Sequence, residues 1–371
     1  MQSFDVQVSG AGIVGKSLAL SLAGLGLSVA LRSVRGSAPA VADVRAYALS
    51  PASIELLQRL KVWDAFAGDA KTPVHDMIVH GDAPGALLEF SAWEQRVAEL
   101  AVIVDAAALE SELDAALRFA AHVTRVDSDA SAALVAHCEG RAAAALAGIA
   151  ADARFERSEY GQRAIAARLV ASLPHRHAAR QWFRSPDVLA LLPLDRPELD
   201  RSYALVWSLP SERADALLAM DPAAFERELA TAAGAEAGTL ALASERAAWP
   251  LGVGGARAWC GPGWVLLGDA AHVVHPLAGQ GLNLGLADVA ALTAVLAARE
   301  SWRPLGDERL LRRYVRQRAE PTWAMTRITD GLLRLFAAPS APIRELRNNG
   351  IHLVNRVSPL KRWLTARALD S

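Results

Sequence analysis

The chain has 371 residues, of which 52% are hydrophobic and 21% are charged, and its formal net charge is −1. These values describe a globular protein with a sizeable core and exclude a disordered chain, and the near-neutral charge gives no reason to expect a nucleic-acid partner. Two cysteines, Cys138 and Cys260, are too few for a disulfide framework. We therefore expect a reducing, cytoplasmic location and two buried, inert thiols.

The N-terminal residues predict a strand–helix–strand unit. Phe4 to Ser9 is typical of a buried strand, Val14 to Leu25 of a helix, and Ser28 to Leu31 of the next strand. Asp5 and the lack of a basic stretch before the apolar run argue against a signal peptide. The uncharged stretch from Leu18 to Leu31 falls short of the roughly 18 residues that span a bilayer, so no transmembrane helix is expected.

A glycine loop joins the first strand to the helix. In Gly10-x-Gly12-x-x-Gly15, the first glycine allows a tight turn, the second lets the backbone approach a pyrophosphate, and the third lets the helix pack on the strand. The free N–H groups and the positive dipole end of the helix favour a phosphate at this point. The loop therefore predicts dinucleotide binding.

The end of the second strand departs from the dinucleotide pattern. An acidic residue that binds ribose hydroxyls normally stands about 20 residues after the loop, whereas this chain has Leu31-Arg32-Ser33. One interpretation is that Arg32 binds a phosphorylated ribose, as in NADP. The other is that Ser33 or a backbone group binds the adenosine ribose of FAD while Arg32 faces solvent. We favour the second, because a later motif indicates FAD.

Helical and strand-like patterns follow along the chain. Helices are predicted at Leu49 to Leu60, at Asp105 to Leu117 and at Ala223 to Ala233. Short strands are predicted at 77–80 and 86–90, and again at 164–170, 188–194 and 203–209, where they indicate a second sheet. Residues 124–157 are alanine-rich and ambiguous, and the region from Leu310 onward is expected to be mainly helical, with breaks at Pro321, Pro339, Pro342 and Pro359.

The run from Val265 to Leu292, VLLGDAAHVVHPLAGQGLNLGLADVAAL, is the most informative part of the sequence. Asp269 follows an apolar strand and a glycine, so its carboxylate is expected at the end of that strand, where it can accept hydrogen bonds from a polyol. Gly279 and Gly281 allow the backbone to pass close to a flat ring. The helix from about Leu282 directs its N-terminal N–H groups toward that ring, where they would stabilise negative charge on a reduced flavin.

These residues resemble the second flavin motif of the para-hydroxybenzoate-hydroxylase-like FAD monooxygenases, and more narrowly that of ubiquinone-biosynthesis hydroxylases of the UbiH/UbiF/VisC type. The resemblance covers nearly the whole chain except about 118–155. It includes a flavin-contacting segment at Asp43-Val-Arg45-Ala-Tyr-Ala-Leu-Ser50, substrate-domain strands at Tyr160-Gly-Gln162, Leu192-Pro193-Leu194 and Val206-Trp207, and a tail with Arg313-Tyr314, Arg318 and Pro359-Leu360-Lys361.

The resemblance implies a role for each matching residue. Gly10, Gly12 and Gly15 would hold the FAD pyrophosphate, Arg45 would lie along the pyrophosphate and ribityl region, and Asp269 would bind ribityl hydroxyls. Pro276 would lie near the reactive carbon of the flavin, and Gly279, Gly281, Leu282 and Asn283 would line its pyrimidine edge, so Pro276 and Gly279 are the residues assigned to catalysis. For Arg45, the alternative is an ordinary surface arginine.

The same resemblance implies an α/β fold class. It predicts an FAD-binding Rossmann-like domain that is discontinuous over 1–72, 97–155 and 245–330. An interleaved mixed-sheet substrate domain would take 73–96 and 156–244, and a helical C-terminal segment would take 331–371.

The implied function is FAD-dependent hydroxylation of an aromatic ring, with a polyprenylated phenol of ubiquinone biosynthesis as substrate. NAD(P)H would reduce the flavin from a transient surface site, and O2 would form a flavin hydroperoxide that transfers one oxygen atom to the ring. Residues 331–371 carry seven Arg or Lys residues and two acidic residues. That balance is compatible with peripheral contact at the inner face of an anionic membrane and with a tail that packs on the flavin domain.

One segment departs from the family. Where the family has a motif of type ADG-A-x-S-x-x-R, this chain has Glu139-Gly140 followed by Ala142 to Ala145, without the serine and arginine. Together with Arg32, this leaves open a degenerate FAD-binding accessory subunit of a quinone-biosynthesis complex. Another flavin enzyme on this scaffold, a halogenase or prenyl reductase, is a third hypothesis, although the sequence lacks the catalytic Lys and Trp-rich motif of a halogenase. No metal site is predicted, because no carboxylate cluster accompanies His272 and His275.

Overall fold

The computed structural model describes residues 3–33, 43–81, 86–140, 153, 155–274 and 280–337. The helices are α1 (Ile13–Gly24), α2 (Pro51–Arg59), α3 (Ala92–Gln95), α4 (Ala106–Arg118), α5 (Ser211–Ala219), α6 (Pro222–Ala233), α7 (Gln280–Ala297) and α8 (Glu308–Ala337). The first nine strands are β1 (Ser3–Ser9), β2 (Val29–Arg32), β3 (Ala46–Leu49), β4 (Lys71–Val74), β5 (Asp76–His80), β6 (Leu87–Ser91), β7 (Ala101–Asp105), β8 (Val123–Val126) and β9 (Ser131–His137). The others are β10 (Phe155–Ala171), β11 (Ala178–Arg184), β12 (Asp187–Leu194), β13 (Ser202–Pro210), β14 (Leu240–Leu242), β15 (Ala247–Ala256), β16 (Cys260–Gly261), β17 (Trp264–Leu266) and β18 (His272–Val273).

A six-stranded sheet contains the N-terminal unit, in the order β16-β17-β9-β1-β2-β8. All its neighbouring pairs from β17 to β8 are parallel, and the predicted β1–α1–β2 unit is confirmed. Helices α1, α4 and α7 share one core with this sheet, which includes Leu18, Leu22, Leu109, Leu113 and Leu292. Because the strands are parallel, their carboxyl ends meet at one edge.

A nine-stranded mixed sheet forms the second large unit, in the order β18-β15-β10-β13-β12-β11-β5-β6, with β14 beside β10. The long strand β10 is antiparallel to both β13 and β15, whereas β11 is parallel to β5. Phe225 and Leu229 of α6 and Leu217 of α5 pack on this sheet against Trp207 and Leu205. The strands predicted between 77 and 90 and between 164 and 209 all belong to it.

A three-stranded sheet, β3-β7-β4, connects the two larger sheets. Successive residues of a strand point to opposite faces, and β7 uses both of them. Val102 and Val104 belong to the core of the six-stranded sheet, whereas Ile103 packs with Leu194 and Ala204 of the nine-stranded sheet. The region between 46 and 105 therefore lies at the junction of the two cores.

The α/β class, with a Rossmann-like unit and a mixed second sheet, is as predicted, and the ambiguous region 124–157 contains β8, β9 and the start of β10. The predicted break at Pro321 is wrong, because α8 continues through it. Proline removes one helical hydrogen bond, but the preceding turns are anchored by bonds from Tyr314 to Leu266 and from Arg318 to Asp288. Pro339, Pro342 and Pro359 lie outside the described residues.

The predicted domain boundaries stay predictions. One of them assigns 245–330 to the FAD-binding domain, whereas β15 hydrogen-bonds within the nine-stranded sheet. Within the described ranges, no helix combines the length and the apolar character that a bilayer crossing requires.

Candidate functional site

The predicted cofactor loops meet at the carboxyl edge of the six-stranded sheet. Ser9 at the end of β1 is in register with Arg32 on β2 and with His137 on β9, and His137 is in register with Leu266 on β17. The chain leaves this edge as the glycine loop after β1, as the turn after β9 and as the turn after β17. Ligands of parallel α/β sheets bind at such an edge.

The glycine loop has the shape that a pyrophosphate site requires. Gly10 has a φ of +104°, and a Cβ there would overlap the carbonyl oxygen of Cys138. A Cβ on Gly15 would overlap the carbonyl oxygen of Gly10. A Cβ on Gly12 would meet no atom of the described residues within 4 Å, and α1 begins there without a side-chain cap. Packing explains Gly10 and Gly15, whereas the open space and free N–H groups at Gly12 fit a phosphate.

Residues 10–17, GAGIVGKS, also match the phosphate-loop pattern of nucleoside triphosphatases. The structure gives the lysine another role, because Nζ of Lys16 lies 2.8 Å from Asp114 and 3.4 Å from Glu110 on α4. Its side chain is buried between the helices, so it joins α1 to α4 and does not face the glycine loop as a phosphate ligand.

The adenosine end of this edge differs from the sequence-based expectation. Arg32 was expected to face solvent, which is wrong, because its side chain is only 20% exposed and its guanidinium pairs with Asp129 at 2.9 Å and Glu139 at 3.6 Å. Glu139 is buried, and its Oε1 lies 3.1 Å from Nδ1 of His137. Since two carboxylates already neutralise Arg32, the structure disfavours its use for a phosphorylated ribose.

A buried carboxylate that the sequence analysis did not identify braces the turn around Asp269. Oδ2 of Asp288 on α7 accepts the N–H of Gly268 at 3.0 Å and lies 2.7 Å from Nε2 of His272, and Oδ1 accepts Nε of Arg318 at 2.8 Å. Burial raises the pKa of Asp288, but His272 and Arg318 outweigh burial and hold the pKa below its usual value. Asp288 therefore stays ionised and fixes both ends of the turn.

Asn283 is buried, and its side chain is used within the protein. Its Oδ1 accepts the N–H of Ser50 at 3.0 Å and the hydroxyl of Ser53 at 2.8 Å, and its Nδ2 donates to the carbonyl of Ala48 at 2.8 Å. These bonds tie the start of α7 to the turn between β3 and α2. A ligand contact from this part of α7 would therefore come from backbone groups.

Arg45 lies beside two aromatic rings. Its Nε and Nη2 donate to the two oxygens of Asp43 at 2.8 and 2.6 Å, and its guanidinium carbon lies 5.8 Å from the ring centroids of Tyr47 and of Trp249 on β15. Burial, opposed by Arg45, raises the pKa of Tyr47 to about 12, and Asp269 is among the carboxylates that add to the shift. Tyr47, which Arg45 faces, is therefore within electrostatic range of Asp269.

Arg168 on β10 joins the nine-stranded sheet to this cluster. Its Nη2 donates to the carbonyl of Arg45 and to Asp105, both at 2.7 Å. Its Nη1 is buried and has no hydrogen-bond partner among the described residues. Sequence reasoning missed Arg168 and Trp249 because they come from the second sheet, whereas Tyr47 lies inside the matched segment and could have been identified there.

Taken together, the described residues have the donors and acceptors that a flavin dinucleotide requires. The free N–H groups at Gly12 suit a pyrophosphate, the unused donor of Arg168 suits an anion, and the carboxylate of Asp269 suits a polyol. Gly281 and Leu282 lie in the first turn of α7, and Leu282 packs on the core. Pro276 and Gly279, which the prediction assigns to catalysis, lie outside the described residues.

One group in the described part of the chain has the spacing of a metal site, and it consists of His175, Asp195 and Asp200. Nδ1 of His175 accepts the N–H of His177 at 3.0 Å. The ring proton therefore lies on Nε2, which faces the carbonyl of Leu194 at 3.1 Å and Asp195 at 3.3 Å. Hydrogen bonds use both ring nitrogens, so they account for this group without a cation.

Cys138 is buried as predicted, whereas Cys260 is partly exposed. Burial raises the pKa of Cys138, beneath the glycine loop, well above its usual value, and raises that of Cys260 to about 11. Both therefore stay protonated at neutral pH and are poor nucleophiles.

Comparison with known proteins agrees with this geometry. The model of the FAD binding domain family matches residues 98–329. The chain is 30% identical to ubiquinone hydroxylase UbiL of Rhodospirillum rubrum, over 99% of this chain and 90% of the relative. It is also 30% identical to 3-demethoxyubiquinol 3-hydroxylase of Escherichia coli K12, over 99% of both chains.

Solved structures have the same fold. The structure of PqsL from Pseudomonas aeruginosa in complex with 2-aminobenzoylacetate superposes with a TM-score of 0.76 and 21% identity, over 95% of this chain and 100% of PqsL. The family model covers more than half of the chain, and both relatives cover nearly all of it. The chain therefore belongs to the FAD binding domain family, whose members similar to it are flavin-dependent monooxygenases.

Proposed function

We propose that this protein hydroxylates an aromatic ring with one oxygen atom from O2, with FAD as cofactor and NAD(P)H as electron donor. The observation that carries the proposal is that the glycine loop and the Asp269 turn meet at one sheet edge, where a Cβ on Gly268 would lie 3.4 Å from the side chain of Val14. The substrate we propose is a polyprenylated phenol of ubiquinone biosynthesis. It is supported by two relatives with 30% identity over 99% of this chain, both named as hydroxylases of ubiquinone or a ubiquinol.

Each part of FAD would meet a group of matching chemistry. The pyrophosphate would lie over Gly12 and the N-terminal N–H groups of α1, and Arg45, whose guanidinium pairs with Asp43, would lie alongside it. The ribityl hydroxyls would donate to Asp269, which Asp288 holds in place through the Gly268 turn. The backbone N–H groups of the first turn of α7 would face the ring.

When bound, FAD supplies the redox and oxygen-activating chemistry, and the protein supplies orientation and exclusion of water. Tyr47 and Trp249 give this part of the site aromatic surface against which a flat ring can pack. Tyr47 stays protonated at neutral pH, because its pKa of about 12 is far above that range, so its hydroxyl can donate a hydrogen bond. The N-terminal N–H groups of α7 would favour negative charge that develops in front of the helix.

NAD(P)H would bind transiently at the surface. The stretch LGVGGAR at 251–257 lacks the spacing of a second dinucleotide fingerprint. Its glycines lie in β15, where Gly254 packs against Phe155 of the neighbouring strand. This stretch is therefore accounted for by strand packing, which supports a donor site without its own glycine loop.

The test begins with the purified protein and its absorbance spectrum. Oxidation of NADH and NADPH and uptake of O2 are then followed with and without a short-chain prenylated phenol, and the product is analysed by mass spectrometry after reaction under ¹⁸O2. We expect bound flavin, phenol-stimulated oxidation of one nicotinamide donor and one labelled oxygen in the product. Asp269→Asn should lose flavin, whereas Asp187→Asn, which alters a buried carboxylate of the nine-stranded sheet, should retain it.

A degenerate FAD-binding accessory subunit of a quinone-biosynthesis complex is the second candidate. It is favoured by the Arg32–Glu139 pair, which stands where the family has other residues. This candidate predicts flavin-loaded protein that oxidises neither NADH nor NADPH with any phenol. Colourless protein that cannot be reconstituted with FAD would contradict both candidates.

We also propose peripheral contact between the basic segment 331–371 and an anionic membrane. The support is its composition of seven basic and two acidic residues. Flotation with anionic liposomes is measured for the full chain and for a chain that ends at residue 330. Equal recovery of the two proteins would contradict the proposal.

A further inference from the structure

The acceptor that a dinucleotide fold uses for the adenosine ribose is missing from its usual strand. That acceptor is normally a carboxylate at the end of the second strand. Arg32 stands there in this chain, and a guanidinium can donate hydrogen bonds but cannot accept them. Because the chain belongs to an FAD-binding family, its cofactor would bring an adenosine ribose to this edge, and the ribose would need another acceptor.

Glu139 brings a carboxylate to the same edge from the other side of β1. Ser9 is in register with Arg32 on one side and with His137 on the other. The backbone nitrogen of Glu139 lies 2.7 Å from the position of a Cβ on Gly10. Oε1 of Glu139 lies 3.6 Å from Nη2 of Arg32 and 3.1 Å from Nδ1 of His137. The carboxylate therefore lies between the ends of β2 and β9, next to the glycine loop.

One oxygen of this carboxylate has no donor in the part of the chain that the structure describes. Oε2 of Glu139 is buried and makes no hydrogen bond to the described residues, and the same holds for Nε of Arg32. Because the Glu139 side chain is only 1% exposed, bulk water cannot solvate that oxygen. A buried acceptor without a donor is unfavourable, so the site requires one.

The other carboxylate on Arg32 is less suited to a ribose. Asp129 Oδ1 already accepts from Nη1 of Arg32 at 2.9 Å and from Nε2 of Gln7 at 3.0 Å, and its side chain is 75% exposed. Because its side chain is largely exposed, water can satisfy its remaining acceptor sites, and Gln7 lies two residues before the end of β1. Of the two acids that pair with Arg32, Glu139 alone combines burial, an unused oxygen and a place beside the glycine loop.

We propose that Glu139 binds the adenosine ribose of FAD, with Oε2 accepting a ribose hydroxyl while Arg32 and His137 hold Oε1. The glutamate is one methylene longer than the aspartate of the family motif, and the added length carries the carboxylate toward β2. Arg32 is then a positioning residue for Glu139. The proposal rests on FAD binding and does not depend on the hydroxylase activity.

The test compares cofactor affinities of the native apoprotein and Glu139→Gln. Both are titrated with FAD, with FMN, and with FAD analogues that lack the 2′- or the 3′-hydroxyl of the adenosine ribose, and quenching of flavin fluorescence gives each Kd. We expect Glu139→Gln to raise the Kd for FAD by about tenfold or more, the effect of losing one charge-assisted hydrogen bond. The Kd for FMN should not change, because FMN lacks the adenosine half. One analogue should bind the native protein about tenfold more weakly than FAD, and Glu139→Gln should lose this discrimination.

Asp129→Asn is the matched control, since it removes the other carboxylate from Arg32. We expect it to change the Kd for FAD by less than about twofold. The proposal is overturned if Glu139→Gln binds FAD like the native protein, or if it weakens FAD and FMN alike. If Glu139→Gln does not fold, the native protein decides, because equal affinity for FAD and both analogues excludes a ribose contact. Native protein that binds FAD but oxidises no nicotinamide would contradict the hydroxylase proposal and leave this one intact.

Discussion

Replacing Asp288 with asparagine would remove one negative charge from the interior with little change in side-chain shape. The carboxylate is fully buried and meets Gly268, His272 and Arg318 at 3.0, 2.7 and 2.8 Å. In the variant, the guanidinium of Arg318 stays 11% exposed without its counter-charge. The new amide also turns an NH2 group toward one of the donors that now faces an oxygen.

The expected loss of stability follows from these contacts. Removing one partner of a buried ion pair typically costs about 3–5 kcal/mol, because the remaining charge is left unpaired. A buried backbone N–H that loses its acceptor adds about 1–3 kcal/mol, although these effects overlap when they share one group. We therefore expect Asp288→Asn to lower the free energy of unfolding by about 4–5 kcal/mol, which is a large fraction of the 5–15 kcal/mol of a typical domain.

Urea unfolding of the flavin-free protein at neutral pH, followed by circular dichroism, measures this loss. Asp69→Asn is the control, because Asp69 pairs with Arg196 at 2.7 Å while both side chains are exposed, to 51% and 40%. Solvent screens that pair, so the variant should unfold close to the native urea concentration. If Asp288→Asn lost no more stability than Asp69→Asn, the argument from burial would be refuted.

The lowered pKa of Asp288 also fixes the pH range of its contribution. A carboxyl whose pKa is lower in the folded state stabilises the protein above its unfolded pKa of about 3.9, and this stabilisation is lost as the pH falls through the folded pKa. The difference in stability between the native protein and Asp288→Asn should therefore shrink as the pH falls below about 4.

Three further variants test other parts of the structure. Gly12→Ala should unfold at the native urea concentration but raise the Kd for FAD at least about tenfold. Gly15→Ala should unfold at a lower urea concentration, because its Cβ overlaps a carbonyl oxygen. Equal losses of stability in the two variants would contradict the assignment of Gly15 to packing and Gly12 to phosphate binding. Burial lowers the pKa of His175 in the folded protein. Below about pH 6.5 the unfolded chain therefore binds a proton at this histidine that the native state does not bind, so the free energy of unfolding falls as the pH drops from about 7 to 5. His175→Gln should flatten that dependence in urea midpoints, and the same change at exposed His122 should not. Asn283→Ala removes three hydrogen bonds, two of them buried, and should lose about 2–4 kcal/mol in the same assay. A loss under about 1 kcal/mol would mean that water replaces the side chain.

Local sequence patterns were sufficient to predict the N-terminal strand–helix–strand unit, the glycine loop and the turn at Asp269. The strand β1, the helix α1 and the strand β2 lie within about a residue of their predicted positions, because alternation of apolar residues and glycine punctuation are properties of neighbouring residues. The 3-10 turn at Gly268–Ala270 follows β17 as predicted for Asp269. These features also define the carboxyl edge, so the general place of the cofactor site followed from the sequence.

The side chains that complete the site could not be predicted in this way. Arg168 bonds to a carbonyl 123 residues earlier, and Asn283 bonds to Ser50 over 233 residues. Periodicity indicates which face of an element a residue occupies, but not which distant residue it meets. The prediction of a helix break at Pro321 was wrong for the same reason. The local preference of proline for a break was outweighed by hydrogen bonds that join the preceding turns of α8 to Leu266 and Asp288.

The Arg32 and Glu139 positions illustrate why single departures from a motif are weak evidence of lost function. Considered alone, a cation at the end of β2 removes an acceptor, and a longer acid after β9 displaces a carboxylate. In the parallel order β2-β1-β9, however, both positions flank one glycine loop, and what the ribose requires there is an acceptor, whichever strand supplies it. The Glu139 carboxylate, which is only 1% exposed, needs a nearby cation. Arg32 provides that cation from the position at the end of β2 where the family pattern has an acidic residue. On the proposed assignment, the two changes therefore compensate each other, and the adenosine side offers no argument for a degenerate protein.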